Sequence, residues 1–263
     1  MPLISPFFRL PGRWRTRRAR RKRMALQYLS LAILILLVLP LYVIYKPPTF
    51  IVNGLQRRFP QVLFHVQTTR KIVALSIDDA PSQYTGPILD ILKANNATAT
   101  FFTIGGQVAG QEQKLQDIIS AGSELGNHAM HDEPSISLPS STLLDEINQV
   151  NTLINAAYTA AGQNRTSHYF RPGSGIFSDR ILDVAKSAGY QTVLGSIYPH
   201  DPFISYPRVN GWHILSMLRP GAVIICHDRR SWTVPMLASV VPEMRRRGYE
   251  VVTVSQLLEA TGN

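Results

Sequence analysis

Cysteine is almost missing from this 263-residue chain: Cys226 stands alone, which excludes an internal disulfide and leaves the redox compartment undetermined. Acidic residues are also scarce, 17 against 27 Lys and Arg, and residues 1–24 contain none. That gap locates the net charge of +10. Arg9, Arg13, Arg15, Arg17, Arg18, Arg20, Arg21, Lys22 and Arg23 supply nine positive charges, and without them the rest of the chain is near +1. The basic character belongs to the tail, so a nucleic-acid-binding domain loses its main support. No sequence repeat is present, and no low-complexity segment beyond the tail.

Charge is missing again from Tyr28 to Tyr45, an apolar run long enough to cross a hydrocarbon core of about 30 Å as a helix. Tyr28, Tyr42 and Tyr45 near its ends suit the headgroup level, and arginines on one side only predict a cytoplasmic N-terminus. A cleaved signal peptide is the rival reading. Against it, the run exceeds the usual h-region, and Lys46-Pro47-Pro48 follows where a small-x-small cleavage site is wanted. The expected organisation is a basic cytoplasmic tail over 1–24, a transmembrane signal anchor over 25–45, a linker and lead-in over 46–70, and a catalytic domain over 71–263.

From Lys71 onward, short β-rich runs alternate with helical stretches. Strands are expected at 72–77, 98–104, 124–126, 169–170, 191–196, 222–226 and 250–254, with an edge strand at 62–66. Helices are expected at 85–94, 113–121, 142–161, 178–188, 209–218 and 234–247. Repeated βα units imply a parallel sheet with right-handed crossovers. Polar residues follow successive strands: Asp78-Asp79, Asn127-His128, Arg171, His200-Asp201 and His227-Asp228. A parallel barrel gathers such residues on one rim, whereas an open sheet spreads them along an edge. The barrel is the better fit.

Two adjacent carboxylates at a strand exit repel unless a cation or a base role divides them, so Asp78 and Asp79 are read as one metal ligand and one group addressing water. Gly126-Asn-His-Ala-Met-His-Asp132 adds His128, with His131 and Asp132 at i+3 and i+4; on a helical turn either could share its metal. Arg171 is expected to partner Asp78. Gly173 and Gly175 let backbone approach a ligand, and the Ser174 N–H could face a developing oxyanion. His227, leaving a buried strand, is poised as a general acid with Asp201 steadying its imidazolium.

These residues, in this order, resemble the NodB-homology polysaccharide deacetylases (carbohydrate esterase family 4). The resemblance covers roughly residues 70–255. It implies a distorted (β/α)7 barrel and metal-dependent removal of N-acetyl, sometimes O-acetyl, groups from a glycan. Zinc is the first choice of divalent metal, with cobalt, nickel or manganese as alternatives. By the same resemblance Asp78 is the catalytic base, Asp79 and His128 are metal ligands, Arg171 orients the base, His227 is the general acid, and Ile225 lines the acetyl-methyl pocket. The chain departs from the pattern in places. Position i+4 is Asp132, with His131 one residue earlier, so the third ligand is expected at Asp132 with His131 as its alternate. Pro202 replaces an aromatic, Tyr198 stands where an Asp often begins the fourth motif, and Gly173-Ser174 replaces Pro-aromatic. The main competitor to a hydrolase is a membrane-tethered glycan-binding pseudoenzyme; the expected partners are an N-acetylated polysaccharide and the membrane, and no nucleic acid.

Overall fold

The computed structural model describes residues 13–262, which divide into one compact unit ending at Pro47 and another beginning at Pro48. In the first, helix α1 (Arg13–Tyr45) takes in the basic segment and the apolar run without a break, Pro40 included. Its stretch Ala19–Tyr45, 27 residues, is long and apolar enough to cross a membrane. At 1.5 Å per residue that is about 40 Å. Leucines stand exposed all around it, Leu29, Leu36 and Leu41 among them. A signal sequence would meet the same test of length and composition.

In the second unit, α2 (Thr49–Arg58) and β1 (Val62–Leu63) precede a run of βα units. These are β2 (Ile72–Ala80), α3 (Thr85–Ala94), β3 (Thr100–Thr103), α4 (Glu112–Ser120), β4 (Glu124–Asn127) and α5 (Ser140–Ala160). After them come β5 (Tyr169–Phe170), α6 (Asp179–Ser187), β6 (Gln191–Val193), α7 (Pro207–Met217), β7 (Val223–His227), α8 (Thr233–Arg246), β8 (Glu250–Val252) and α9 (Val254–Thr261). All strand pairs are parallel, in the order β1-β6-β5-β4-β3-β2-β7, with β8 beside the first half of β2. Within the expected lead-in, Thr49–Arg58 is helix, and the strand expected at 62–66 is present as the shorter β1, a buried neighbour of β6; Val52, Val62 and Phe64 pack with Leu182 and Leu194.

The ring closes between β6 and β7, but only through a short irregular segment. Ser196 N donates to Val223 O at 2.9 Å and Ile225 N to Ile197 O at 2.9 Å, around a single parallel bridge between Ile197 and Ile224. This is the distorted α/β barrel anticipated from the sequence, closed by a bridge instead of a full ladder.

Alternation along β2 explains both the core and the site. Val73, Leu75 and Ile77 point to the outer layer, where they pack with Phe101 of β3 and with Ile88, Ile118, Val240 and other helix residues. Ile72 and Ala74 point inward to Phe102, Val193 and Val223, filling the barrel floor. Ser76 and Asp78 continue that inward row, so the same strand that builds the floor delivers polar groups to the rim. Helices α4 and α6 follow the expected logic: apolar positions recur every three to four residues and those are the buried ones, Leu115, Ile118 and Ile119 in one, Ile181, Leu182, Val184 and Ala185 in the other.

Gly221, just before β7, carries a constraint that only backbone proximity explains. Its φ is +74°, its carbonyl accepts from Val66 N at 2.9 Å, and a Cβ there would lie 1.8 Å from Val66 O. Gly221→Ala should therefore destabilise the domain by about 2 kcal/mol, combining left-handed strain with a backbone clash. Thermal unfolding of the solubilised protein should show Tm lower by about 4–8 °C; an unchanged Tm would mean that the 66–221 contact is dispensable.

Candidate active site

The two aspartates at the end of β2 face one site because the strand is irregular there. Register against β3 shifts between Ile77 and Ala80, and Asp79 has φ +63°. In a regular strand neighbouring side chains diverge to opposite faces; the bulge turns Asp79 back toward the rim. Both carboxylates are buried, 3% and 2% exposed.

Arg171, at the end of β5, is fully engaged beneath them. Its Nη1 donates to Asp78 Oδ1 and, at 2.9 Å, to Ser76 Oγ; Nε donates to Val193 O at 3.0 Å and Nη2 to Leu194 O at 2.9 Å. The guanidinium carbon lies 4.1 Å from the centre of the Phe102 ring. Burial pulls the arginine below its ordinary value while the Asp78 charge pulls it back up. The expected Arg171–Asp78 pair is thus present, with Ser76 an additional partner that the sequence reading missed.

His227 ends β7, two residues beyond half-buried Ile225, on the same face by strand alternation. Asp201 holds it at two points: Oδ1 lies 2.9 Å from Nδ1, and Oδ2 accepts from the His227 backbone N at 2.8 Å. The other ring nitrogen, Nε2, is 3.9 Å from Asp78 Oδ2. Burial by itself would lower the imidazole, but Asp201, followed by Asp78 and Asp79, outweighs it and raises the group above its ordinary value. Asp201 is fixed in turn by Trp232, whose Nε1 donates to its carbonyl at 2.9 Å. Tyr198 packs edge-on against His227 at 5.8 Å, and burial together with the Asp201, Asp78 and Asp79 charges pushes its phenol up.

His128 follows β4. Its Nδ1 lies 2.6 Å from Arg171 O. A carbonyl only accepts, so Nδ1 carries a proton, which leaves Nε2 as the nitrogen that can offer a lone pair. That Nε2 is 3.8 Å from Asp79 Oδ1. Two donors about 2.1 Å from one ion can be up to about 4.2 Å apart, so this pair, with the tautomer already set, fits a shared divalent cation. Burial raises Asp79 above the ordinary carboxylate range, with His128 and His227 pulling the other way.

The segment after His128 differs from expectation. Residues 128–133 form no helical turn: Ala129 has φ +63°, its N–H donates to Asn127 Oδ1 at 2.9 Å, and Met130 N–H donates to buried Glu146 Oε2 at 3.0 Å. The i+3/i+4 argument from a helix therefore does not apply. His131 is exposed, near Gly106, and Asp132 is half exposed with its Oδ2 3.5 Å from Arg229 Nη1. Among the described residues no three His, Cys, Asp or Glu side chains are gathered as a metal cluster. Asp79 and His128 are brought together; neither Asp132 nor His131 joins them.

Ser174 is exposed on the rim, in a tight turn with φ +60°. The turn is fastened by Gly173, whose N–H donates to Ser135 Oγ at 2.8 Å and where a Cβ would lie 2.0 Å from Glu133 O. Pro202 is followed by Phe203, 82% exposed. Asp228, not assigned a role from sequence, is fully buried and accepts from Ser82 Oγ at 2.6 Å, from Thr85 Oγ1 and from Arg229 N. Its place directly after His227 is the one signal that pointed to it.

Comparison with known proteins gives the family. The family model described as polysaccharide deacetylase matches residues 65–193. A peptidoglycan-N-acetylglucosamine deacetylase of Bacillus cereus is 34% identical over 203 residues, covering 75% of this chain and 92% of that protein. The peptidoglycan-N-acetylmuramic acid deacetylase PdaA of Bacillus subtilis is 28% identical over 195 residues, covering 73% of each chain. Its solved structure, described as a family 4 carbohydrate esterase, superposes with a TM-score of 0.70 at 26% identity, over 82% of this chain and 93% of that one. A CE4 family pseudoenzyme from Bacillus anthracis also superposes, with a TM-score of 0.68 at 27% identity over 75% of this chain and 68% of that one. The chain belongs to the polysaccharide deacetylase family.

Proposed function

We propose that this chain removes N-acetyl, or O-acetyl, groups from a cell-envelope or extracellular polysaccharide such as peptidoglycan or a chitin-like glycan, as a membrane-anchored enzyme whose catalytic domain lies outside the cytoplasm. The observation that carries the reading is the buried relay Arg171–Asp78–His227–Asp201 set beside the Asp79–His128 donor pair. A base and an acid held apart by different partners are what amide hydrolysis needs. Asp78, held in place by Arg171, takes the proton of the attacking water. His227, protonated and steadied by Asp201, gives a proton to the departing amine, without which an amide leaving group is very poor. In this reading the Ser174 N–H meets the developing oxyanion, and Ile225 bounds the acetyl methyl. Asp79 and His128, with Asp132 as third donor, would hold a divalent cation, zinc first among the choices, which would supply Lewis acidity.

The test is acetate release from N-acetylated glycans. Asp78→Asn and His227→Ala should each lower kcat by about 10²–10⁴ with metal still bound, the range typical of a lost general base or acid. Asp201→Asn should move the alkaline limb of the pH profile to lower pH, since it removes the charge that chiefly raises His227. Near-normal turnover in the first two variants would sink the assignments. Failure of the unaltered, metal-loaded protein to release acetate from any glycan would favour the alternative, a tethered glycan-binding pseudoenzyme.

For the third ligand, Asp132→Ala should weaken metal affinity more than His131→Ala, because metal binding can draw Asp132 from its solvent-exposed partner Arg229. Metal titration decides it, and a larger loss in His131→Ala reverses the assignment.

The membrane reading rests on charge asymmetry around Ala19–Tyr45. Protease added to right-side-out vesicles should digest the domain from residue 46 onward and spare the basic tail. A mature soluble protein beginning near residue 46 would instead identify a cleaved signal.

A further inference from the structure

Resting on the membrane-anchored reading, we infer that the outer face of α2 docks on the bilayer in which the chain is anchored. Phe50 enters the boundary between headgroups and acyl chains, and Arg57 and Arg58 meet anionic lipid headgroups. The argument begins with reach. Lys46, Pro47 and Pro48 are all that separates α1 from α2, and Pro48 is extended, with φ −60° and ψ 149°. Three residues of stiff, extended chain span about 9 Å. The polar layer on each side of a bilayer's hydrocarbon core is about 5–8 Å deep. A helix that begins so soon after a membrane span begins in or beside the headgroups, and the face it turns outward is the one that meets them.

The domain decides which face that is, because it grips the other. Val52 is buried with Val62, Phe64, Leu182 and Leu194. Gln56 uses both ends of its amide: Nε2 donates to Val62 O at 2.9 Å, and Oε1 accepts from Phe64 N at 2.9 Å. Phe59, which closes the helix, packs edge-on against Phe177 with ring centres 5.0 Å apart. What remains outward is a line at helical spacing, Phe50, Gly54, Arg57 and Arg58, all exposed. Phe50 is 73% exposed. A lone exposed phenylalanine is ordinary. On a fixed helix directly after a membrane span, the same ring is placed to enter the interface. The two arginines follow about 10–12 Å further along the axis, at the level of the headgroups. Among the described residues no carboxylate pairs with either of them; Arg58 lies over the Phe59 ring, 5.3 Å from its centre. The surrounding sequence agrees in sign. No Asp or Glu occurs between Tyr45 and Asp78, whereas Lys46, Arg57, Arg58, Arg70 and Lys71 do. Such a segment is complementary to an anionic bilayer surface. Docked in this way, the catalytic domain is held down at the bilayer instead of swinging on its tether.

The test uses the full chain reconstituted in vesicles of phosphatidylcholine, with or without phosphatidylglycerol. Gly54 lies in the middle of the outward face, and a Cβ there meets nothing within 4 Å, so Gly54→Cys supplies a labelling site; the native Cys226 is buried. An environment-sensitive fluorophore at that position should be quenched by lipids carrying a nitroxide near the headgroup, several times more strongly than the same label at Lys93→Cys on α3. Phosphatidylglycerol should increase the quenching. Arg57→Gln with Arg58→Gln should lower the docked-to-free ratio about 30-fold, the effect of two charges at an anionic surface. Phe50→Ser should lower it in both kinds of vesicle. All three side chains are exposed, so Tm should stay where it is. A Gly54 label no more quenched than the Lys93 control overturns the inference. So does quenching that the Phe50 and arginine variants leave intact, since the short tether alone would then account for it. Extraction at alkaline pH separates this result from the anchor: a chain that stays with the vesicles while its Gly54 label is unquenched keeps the anchor and loses the docking, whereas a chain that washes out loses both.

Discussion

The structure turns on the buried pair Arg171–Asp78. One side chain reaches from the end of β5 to the strand β2 through Asp78 and Ser76, and to β6 and its exit through the carbonyls of Val193 and Leu194; it also lies over the Phe102 ring of β3. Its own carbonyl accepts from His128, which fixes that ring's tautomer. A buried ion pair is worth little net, because desolvation offsets attraction, yet losing one member of such a pair costs about 3–5 kcal/mol. The arginine is therefore less a source of stability than a constraint: with it in place, Asp78, His128 and three strand ends have one mutual arrangement.

Around that pair the rim is built from strained backbone. Among the described residues, those other than glycine with positive φ are Asp79, Asn96, Ala129, Ser174, His200 and Arg229. Asp79 lies at the end of β2, and all the others but Asn96 lie in the segments that leave β4, β5, β6 and β7 on the site's side. Each such residue costs of order 1–3 kcal/mol and persists only where surrounding contacts over-determine it. Those contacts can be named: Asn127 Oδ1 under Ala129, Asp228 and Ser82 under Arg229, Ser135 Oγ under the Gly173–Ser174 turn. Strain of this kind re-aims side chains that a regular strand would have sent elsewhere, and Asp79 is the plainest case.

The barrel's floor and rim divide the labour. Below, Ile72, Ala74, Phe102, Val193 and Val223 exclude water; above, the same inward rows become Ser76, Asp78 and His227. Low dielectric beneath the rim strengthens every charge interaction there, which is how Asp201 can raise His227 against the opposing effect of its burial. The closure between β6 and β7, a bridge instead of a ladder, leaves the ring distorted at the strand that carries His227.

Much of this could be read from the chain. Alternating βα runs placed the strands and helices of residues 71–254 to within a few residues, because apolar periodicity and following glycines report local structure. The order of Asp78-Asp79, His128, Arg171, Asp201 and His227 after successive strands gave the candidate site, because parallel topology brings strand ends to one rim whatever lies between them. The local conformation of the loops was not legible. Whether residues 128–133 form a helical turn depends on Ala129's φ, and that is set by Asn127 and by Glu146 from α5, partners no spacing rule reveals. Arg229, Arg230 and Asp228 look in sequence like ordinary charges after a histidine. The sequence by itself determined the layer of the barrel, the identity of the chemical groups and the apolar helix that precedes them. Only the tertiary structure decided which of those groups face one another, because hydrogen bonds across residues 76 to 228 set the backbone strain that aims them.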